Sequence, residues 1–168
     1  MKKLISIIIS FLLVLVVLAG CSGGRTVKNG YISVFVPDGW EYRSDTFGYA
    51  PSEGHFFAEV KDEKGNYVWY AMHPYSGEHT PQEQLEMTME NSGAEIVSWL
   101  DNITVSDMEF TAVECELNGK RNVNARAVEN GRSIALTITD LSNKDILKIL
   151  DSLEANLYHY EDEFTVSR

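Results

Sequence analysis

Two Asn-Gly dipeptides, Asn118-Gly119 and Asn130-Gly131, each stand between runs of alternating apolar and polar residues, and they constrain the fold more than any other feature of the chain. Asn-Gly favours the type I′ turn, whose central residues both need positive φ, and that turn joins neighbouring antiparallel strands directly. The inward candidates on the strands so joined are Val113 and Cys115, then Val123, Ala125 and Ala127, then Ile134, Leu136 and Ile138. A tight turn at Asn130-Gly131 sets Ala127 opposite Ile134 and Ala125 opposite Leu136, so the apolar positions share one face. The same rule at Asn118-Gly119 sets Val113 opposite Asn124, on the wrong face. A type I turn with Gly119 left-handed in a bulge would restore the register. One tight turn and one bulged turn are therefore expected.

The remaining pattern is strand-rich with two helices inserted. Tyr31–Val36 reads as a strand that Pro37-Asp38-Gly39 ends in a turn, and Trp40 opens the next segment. His55–Lys61 and Tyr67–Met72 form a hairpin around residues 62–66. Thr80-Pro81-Gln82-Glu83 is a capping box with Pro at the first helical position, and Asn91-Ser92-Gly93 closes that helix. Further strands are expected over Ala94–Leu100, Ile103–Ser106, Glu109–Leu117, Arg121–Glu129 and Ser133–Thr139. Ser142 with Asp145 caps a second helix, whose Ile146, Leu147, Ile149, Leu150 and Leu153 make an apolar stripe. The first hairpin carries Phe56 and Tyr70 on one face and Phe57, Tyr67 and Trp69 on the other. A sheet apolar on both faces needs cover on both. The expectation is an α+β domain over residues 31–168, a twisted antiparallel sheet of about seven or eight strands with helices on both faces.

Composition excludes several function classes. Fourteen Lys and Arg against 25 Asp and Glu give a net charge of −11, whereas a nucleic-acid binder needs a basic face. Two Cys provide neither a disulfide framework nor a four-Cys zinc site. No Lys or Arg lies between Lys64 and Lys120, a stretch with ten acidic residues, so one side of the domain is expected to be acidic. Glu83, Glu86 and Glu90 on the first helix are its candidate interaction residues; a merely solvated surface is the favoured reading.

Residues 1–20 belong outside the fold. Lys2 and Lys3 precede an apolar stretch from Leu4 to Leu18, which at about 1.5 Å per residue spans roughly 22 Å, short of a ~30 Å hydrocarbon core. Leu18-Ala19-Gly20-Cys21 resembles a bacterial lipobox. The resemblance implies a cleaved signal peptide over residues 1–20, a diacylglyceryl group on Cys21, and a lipid-anchored domain at the cell membrane facing outside the cytoplasm. Maturation would remove Lys2 and Lys3, leaving 12 basic against 25 acidic side chains, or −13. Cys115 would then be the one free thiol. Residues 21–30, with their glycines, read as a flexible tether in which Arg25 and Lys28 would favour an anionic surface.

The segment Tyr31-Ile32-Ser33-Val34-Phe35-Val36-Pro37-Asp38-Gly39-Trp40 resembles the opening strand–Pro–x–Gly–Trp of the Mog1/PsbP-like superfamily. That resemblance implies an α/β/α sandwich over most of residues 31–157. Bacterial members are often small lipoproteins of unknown role. Eukaryotic members bind a small GTPase or a photosystem, and none of their functional residues matches a position here.

Chemistry has few candidates. The histidines are His55, His73, His79 and His159, and His73, Glu78 and His79 share one loop that offers a metal three weak ligands. The preferred reading leaves metal out: Glu78 lies beside the helix that Thr80 starts, where a carboxylate suits the positive end of the dipole. Cys115 alternates with Val113 and Leu117 as a small buried hydrophobe would, and no Gly-x-Ser-x-Gly or phosphate loop is present. Neither catalysis nor a cofactor is expected. Two readings follow. One is a membrane-anchored module that binds another envelope component; the other is a ligand- or metal-capturing lipoprotein, using the His73–His79 loop or an aromatic pocket near Trp40 and Tyr42. An exposed apolar patch favours the first and a deep aromatic pocket the second.

Overall fold

The computed structural model describes residues 23–49 and 54–157. The strands are β1 (Gly24–Lys28), β2 (Ile32–Pro37), β3 (Trp40–Asp45), β4 (Phe56–Asp62), β5 (Tyr67–Pro74) and β6 (Glu95–Trp99). They continue as β7 (Ile103–Val105), β8 (Met108–Leu117), β9 (Lys120–Glu129), β10 (Arg132–Ile138) and β11 (Glu154–Ala155). Helix α1 is Pro81–Ser92 and helix α2 is Lys144–Ser152. An eight-stranded antiparallel sheet runs β3-β4-β5-β10-β9-β8-β6, with β7 also on β8, and a small sheet runs β1-β2-β11.

The main core lies between the inner face of the large sheet and a layer made of the small sheet and α2. Phe56, Tyr70, Phe110, Leu136 and Ile138 from the large sheet meet Val34 and Val36 of β2 and Ile146, Ile149 and Leu150 of α2. Tyr31 stacks on Phe56 with ring centroids 4.5 Å apart. Trp40 is buried in this same cluster.

The two Asn-Gly turns behave alike, which corrects one expectation. At Asn130-Gly131 both residues have positive φ, and Ile134 faces Ala127 while Leu136 faces Ala125. Asn118-Gly119 is equally tight, with Leu117 opposite Lys120 and Val113 opposite Asn124. No bulge was needed, because β8 is buried on both faces. Phe110 and Ala112 point into the main core, while Val113 and Cys115 are buried on the outer face. The irregularity falls instead on the partner strand, between Ile96 and Ser98 of β6.

On that outer face α1 packs on β9, β8 and β6, and its Gln84 side chain accepts from the Ser133 hydroxyl of β10. Leu85 and Met89 are its buried residues, and Thr88 accepts a hydrogen bond from Arg126 of β9. The cover of the sheet is thus mostly sheet and α2 on the inner side and a single helix over part of the outer side. Among the described residues no helix covers the β3–β4–β5 half of the outer face.

Both helix starts are local chemistry. Thr80 Oγ1 accepts from the Glu83 amide at 3.3 Å, and the Thr80 amide donates to Glu83 Oε2 at 2.7 Å. Gly93 ends α1 at φ 71°, its amide reaching back into the last turn. Thr80→Ala removes the cap and is expected to lower stability by about 0.5–2 kcal/mol; urea denaturation showing no loss would mean α1 is held by packing alone. The cap of α2 differs from expectation. Asn143, not Ser142, accepts from the amides of Asp145 and Ile146, while the Ser142 hydroxyl donates to Asp140.

Part of the expected N-terminal tether is strand. Residues 24–28 form β1 along β2, so strand structure is present ahead of Tyr31. The glycines that suggested flexibility serve close approach: the Gly23 carbonyl accepts from Asp38 N at 2.9 Å, and a Cβ on Gly23 or Gly24 would collide with Asp38 or Phe35. Thr26 and Val27 are good strand formers, and pairing covers an edge of β2 that would otherwise be open. Cys21 and residues 1–20, the expected signal peptide, lie outside the described residues.

Candidate functional site

The uncovered half of the outer face is built by strand register. Arg43 of β3 faces Glu59 of β4, Glu59 faces Trp69 of β5, and Trp69 faces Thr137 of β10. One residue from each of four strands therefore lies in a line across the sheet. With Tyr67 these residues line a shallow open depression of about 330 Å³. Arg43 Nε meets Glu59 Oε2 at 2.8 Å, and its guanidinium carbon sits 5.9 Å from the Phe57 ring centre. The pair orders the arginine more than it stabilises the fold, because the Arg43 side chain is 68% exposed.

Phe57 begins a second line that runs along the hairpin. Trp69 stacks at 6.5 Å from Phe57, the Phe47 ring lies 4.8 Å from Phe57, and Phe47 stacks at 5.9 Å on His73. His73 meets His55 edge-on at 5.4 Å, and Tyr49 stacks on His55 at 4.1 Å. Six rings are thus in sequence contact, the outermost being Phe47 (46% exposed) and Tyr49 (47% exposed). Phe47 reaches this position through a turn in which it has φ 55° and Gly48 φ 77°, closed by the Tyr49 amide on the Thr46 carbonyl. A bulky aromatic residue in the left-handed region is strained by about 1–2 kcal/mol. That strain is spent holding an aromatic ring over the sheet rather than in solvent.

At the His pair the two Nδ1 atoms approach to 3.2 Å. Burial first, and then the neighbouring His55 and the Arg126 guanidinium, push the pKa of His73 below the ordinary histidine value. The three weak metal candidates of the His73–His79 loop are not brought together among the described residues. His79 is exposed beside α1, where its carbonyl accepts from Tyr75 Oη and Gln84 Nε2, each at 2.9 Å. Glu78 is exposed, and no group of three His, Cys, Asp or Glu gathers among the described residues. His73 keeps a histidine neighbour, but it is the cross-strand His55.

The other candidates disperse. Glu83 is engaged with Thr80, Glu86 accepts from Gln82, and Glu90 is exposed, so α1 presents a solvated acidic side. Two further acids of the basic-free stretch, Glu114 and Glu116, pair with Arg121. Trp40 belongs to the core, and the Tyr42 hydroxyl accepts from Asn29 at 2.9 Å. Cys115 is buried and receives a hydrogen bond from Asn124 Nδ2; burial raises its thiol pKa, as for an inert cysteine. His159 lies outside the described residues. Arg43, Phe47, Tyr49, Glu59 and His55 were not singled out as site residues, although the hairpin register contained the signal for the last.

Comparison with known proteins gives the architecture a relative. No family model matches the chain, and no curated protein matches it. Among solved structures, cyanobacterial PsbP (CyanoP) from Synechocystis superposes with a TM-score of 0.50 at 11% identity, covering 82% of this chain and 95% of that one. At that identity the likeness concerns architecture alone. The chain has a PsbP-like fold.

Proposed function

We propose that this protein is a lipid-anchored, extracytoplasmic binding module that docks another envelope component through the uncovered aromatic face of its large sheet. The observation that carries the reading is the line of six contacting rings from Trp69 to Tyr49, left open by α1 and edged by Arg43. Phe47 and Tyr49 of this line are exposed and the other four rings half-buried; contiguous accessible aromatic surface on a small domain marks an interaction site, and aromatic and arginine side chains supply most of the energy at such sites. The depression beside it is shallow and of about 330 Å³, which suits a protruding residue of a partner better than an enclosed small ligand.

The anchor in this reading is Cys21, motivated by Leu18-Ala19-Gly20-Cys21. No helix among the described residues is long and apolar enough to cross a membrane. Two peptide steps hold Cys21 within about 8 Å of Gly23. Gly23 is bonded to Asp38 in the β2–β3 turn, at the end of the sheet where Trp40 faces Asp62. Phe47, His55 and His73 lie at the opposite ends of their strands. An anchor at Cys21 would therefore leave this end of the aromatic line turned away from the bilayer, toward a partner.

Position-specific photo-crosslinking in whole cells tests the docking face. A photoreactive residue at Phe47 or Trp69 is expected to give one discrete adduct, and the same group at Glu86 on α1 is expected to give none. Equal adducts from all three positions, or adducts from Glu86 alone, would move the interface off the aromatic line.

A further inference from the structure

We propose that His55 and His73 form a two-imidazole site for a borderline divalent transition-metal cation, of which Zn²⁺ is the probe, across the open end of the β4–β5 hairpin. This site shares two rings with the proposed docking line but does not rest on the docking reading, and it differs from the His73–Glu78–His79 loop. Phe56 pairs with Met72, so continuing the ladder by one step sets His55 directly opposite His73. Cross-strand neighbours hold their Cβ atoms about 4.5–5.5 Å apart, close enough for two rings to converge on one ion.

The separation of the nitrogens is the main argument. The Nδ1 atoms are 3.2 Å apart. Zinc–imidazole bonds of about 2.0–2.1 Å on both would enclose an angle of about 100–106°, near the tetrahedral value. The rings are already oriented, because Tyr49 stacks on one and Phe47 on the other. Metal binding then orders little that is not ordered beforehand. Imidazole nitrogen selects Zn²⁺, Cu²⁺ or Ni²⁺ over Ca²⁺ and Mg²⁺, which take oxygen ligands. No third His, Cys, Asp or Glu joins the pair among the described residues. The Arg126 guanidinium acts on His73 through space and opposes a cation there, so binding should be weaker than at closed structural zinc sites.

The competing arrangement is a shared N–H···N bond between the rings. At 3.2 Å it stands at the long limit for such a bond, and it needs one Nδ1 protonated and the other bare. Calorimetric titration of the full chain with ZnCl₂ in a non-chelating buffer separates the two. One Zn²⁺ per chain is expected, with affinity at least tenfold weaker in His55→Ala and in His73→Ala and unchanged in His79→Ala. Should either Ala variant fail to fold, ¹⁵N imidazole NMR of the unsubstituted chain reads the same question. One equivalent of Zn²⁺ should shift the Nδ1 signals of His55 and His73 together and leave His79 in place. Absence of binding, or binding that survives both substitutions or shifts His79 alone, would overturn the site.

Discussion

Truncating Leu150 to Ala is expected to cost about 2–5 kcal/mol of folding stability, while Leu147→Ala, three residues earlier on the same helix, should change it by no more than about 0.5 kcal/mol. Successive residues of a helix are about 100° apart, so Ile146, Ile149, Leu150 and Leu153 share one side and Leu147 stands well off it. Leu150 is 6% exposed and lies in the core with Val34 and Val36; Leu147 is 41% exposed. Removing the Leu150 side chain leaves a cavity under a layer held by strand ladders, where collapse is restricted. Removing Leu147 exposes nothing and places the best helix former on the surface. Urea titrations with a common slope would check both. Equal losses would mean that α2 is rotated about its axis from the position described.

The same pair shows where the sequence stopped being informative. Periodicity located α2 and its core residues, but five apolar residues in eight made the stripe look wider than it is. Turn chemistry was more reliable than the assumption made about burial. Asn118-Gly119 forms the tight turn that its residues favour, and the bulge was invoked only because Val113 and Cys115 were assigned to the main core. Their strand has two buried faces, with Val113 and Ala112 both at 0% exposure, and alternation cannot say which face is the main one. A second covering element, α1, had to be placed before that question had an answer. The tether failed differently. Glycine was read as freedom, whereas Gly23 and Gly24 are needed where β1 passes close to Asp38 and Phe35.

The candidate site was legible in part. Phe57, Tyr67 and Trp69 were assigned to the second apolar face of the first hairpin, and the register places them there. What was missed is that α1 leaves this half of the face open. His73 was singled out, yet its partner was sought six residues along the chain at His79, while the ladder supplies His55 from eighteen residues away. Sequence neighbours separate when one stays in a strand and the other enters a helix cap. Cross-strand neighbours are fixed by the loop between them, and residues 62–66 close that loop with Asn66 donating to the Asp62 carboxylate. Extending the hairpin register by one pair beyond Phe56 would have found the histidine pair without a structure.

Cys21→Ala is expected to abolish lipidation completely and to leave a longer chain that keeps residues 1–20. The proposed modification attaches a diacylglyceryl group through a thioether, and alanine has no sulfur to carry it. In the proposed maturation, cleavage between Gly20 and Cys21 comes after acylation, so the unmodified chain should stay uncut. The loss in membrane affinity would be large. Each buried methylene contributes about 0.8 kcal/mol, so a single acyl chain binds marginally and two hold essentially without release. The precursor can still associate through the apolar stretch from Leu4 to Leu18, so fractionation alone is a poor readout. Mass spectrometry of the purified chain separates the cases. The unsubstituted protein should begin at an acylated Cys21, the Cys21→Ala chain should retain its first twenty residues without acyl mass, and Cys115→Ala should mature normally because that thiol is buried. A Cys21→Ala chain that is cut and acylated like the parent would remove the anchor from the proposed function and leave the aromatic face to be explained without a membrane.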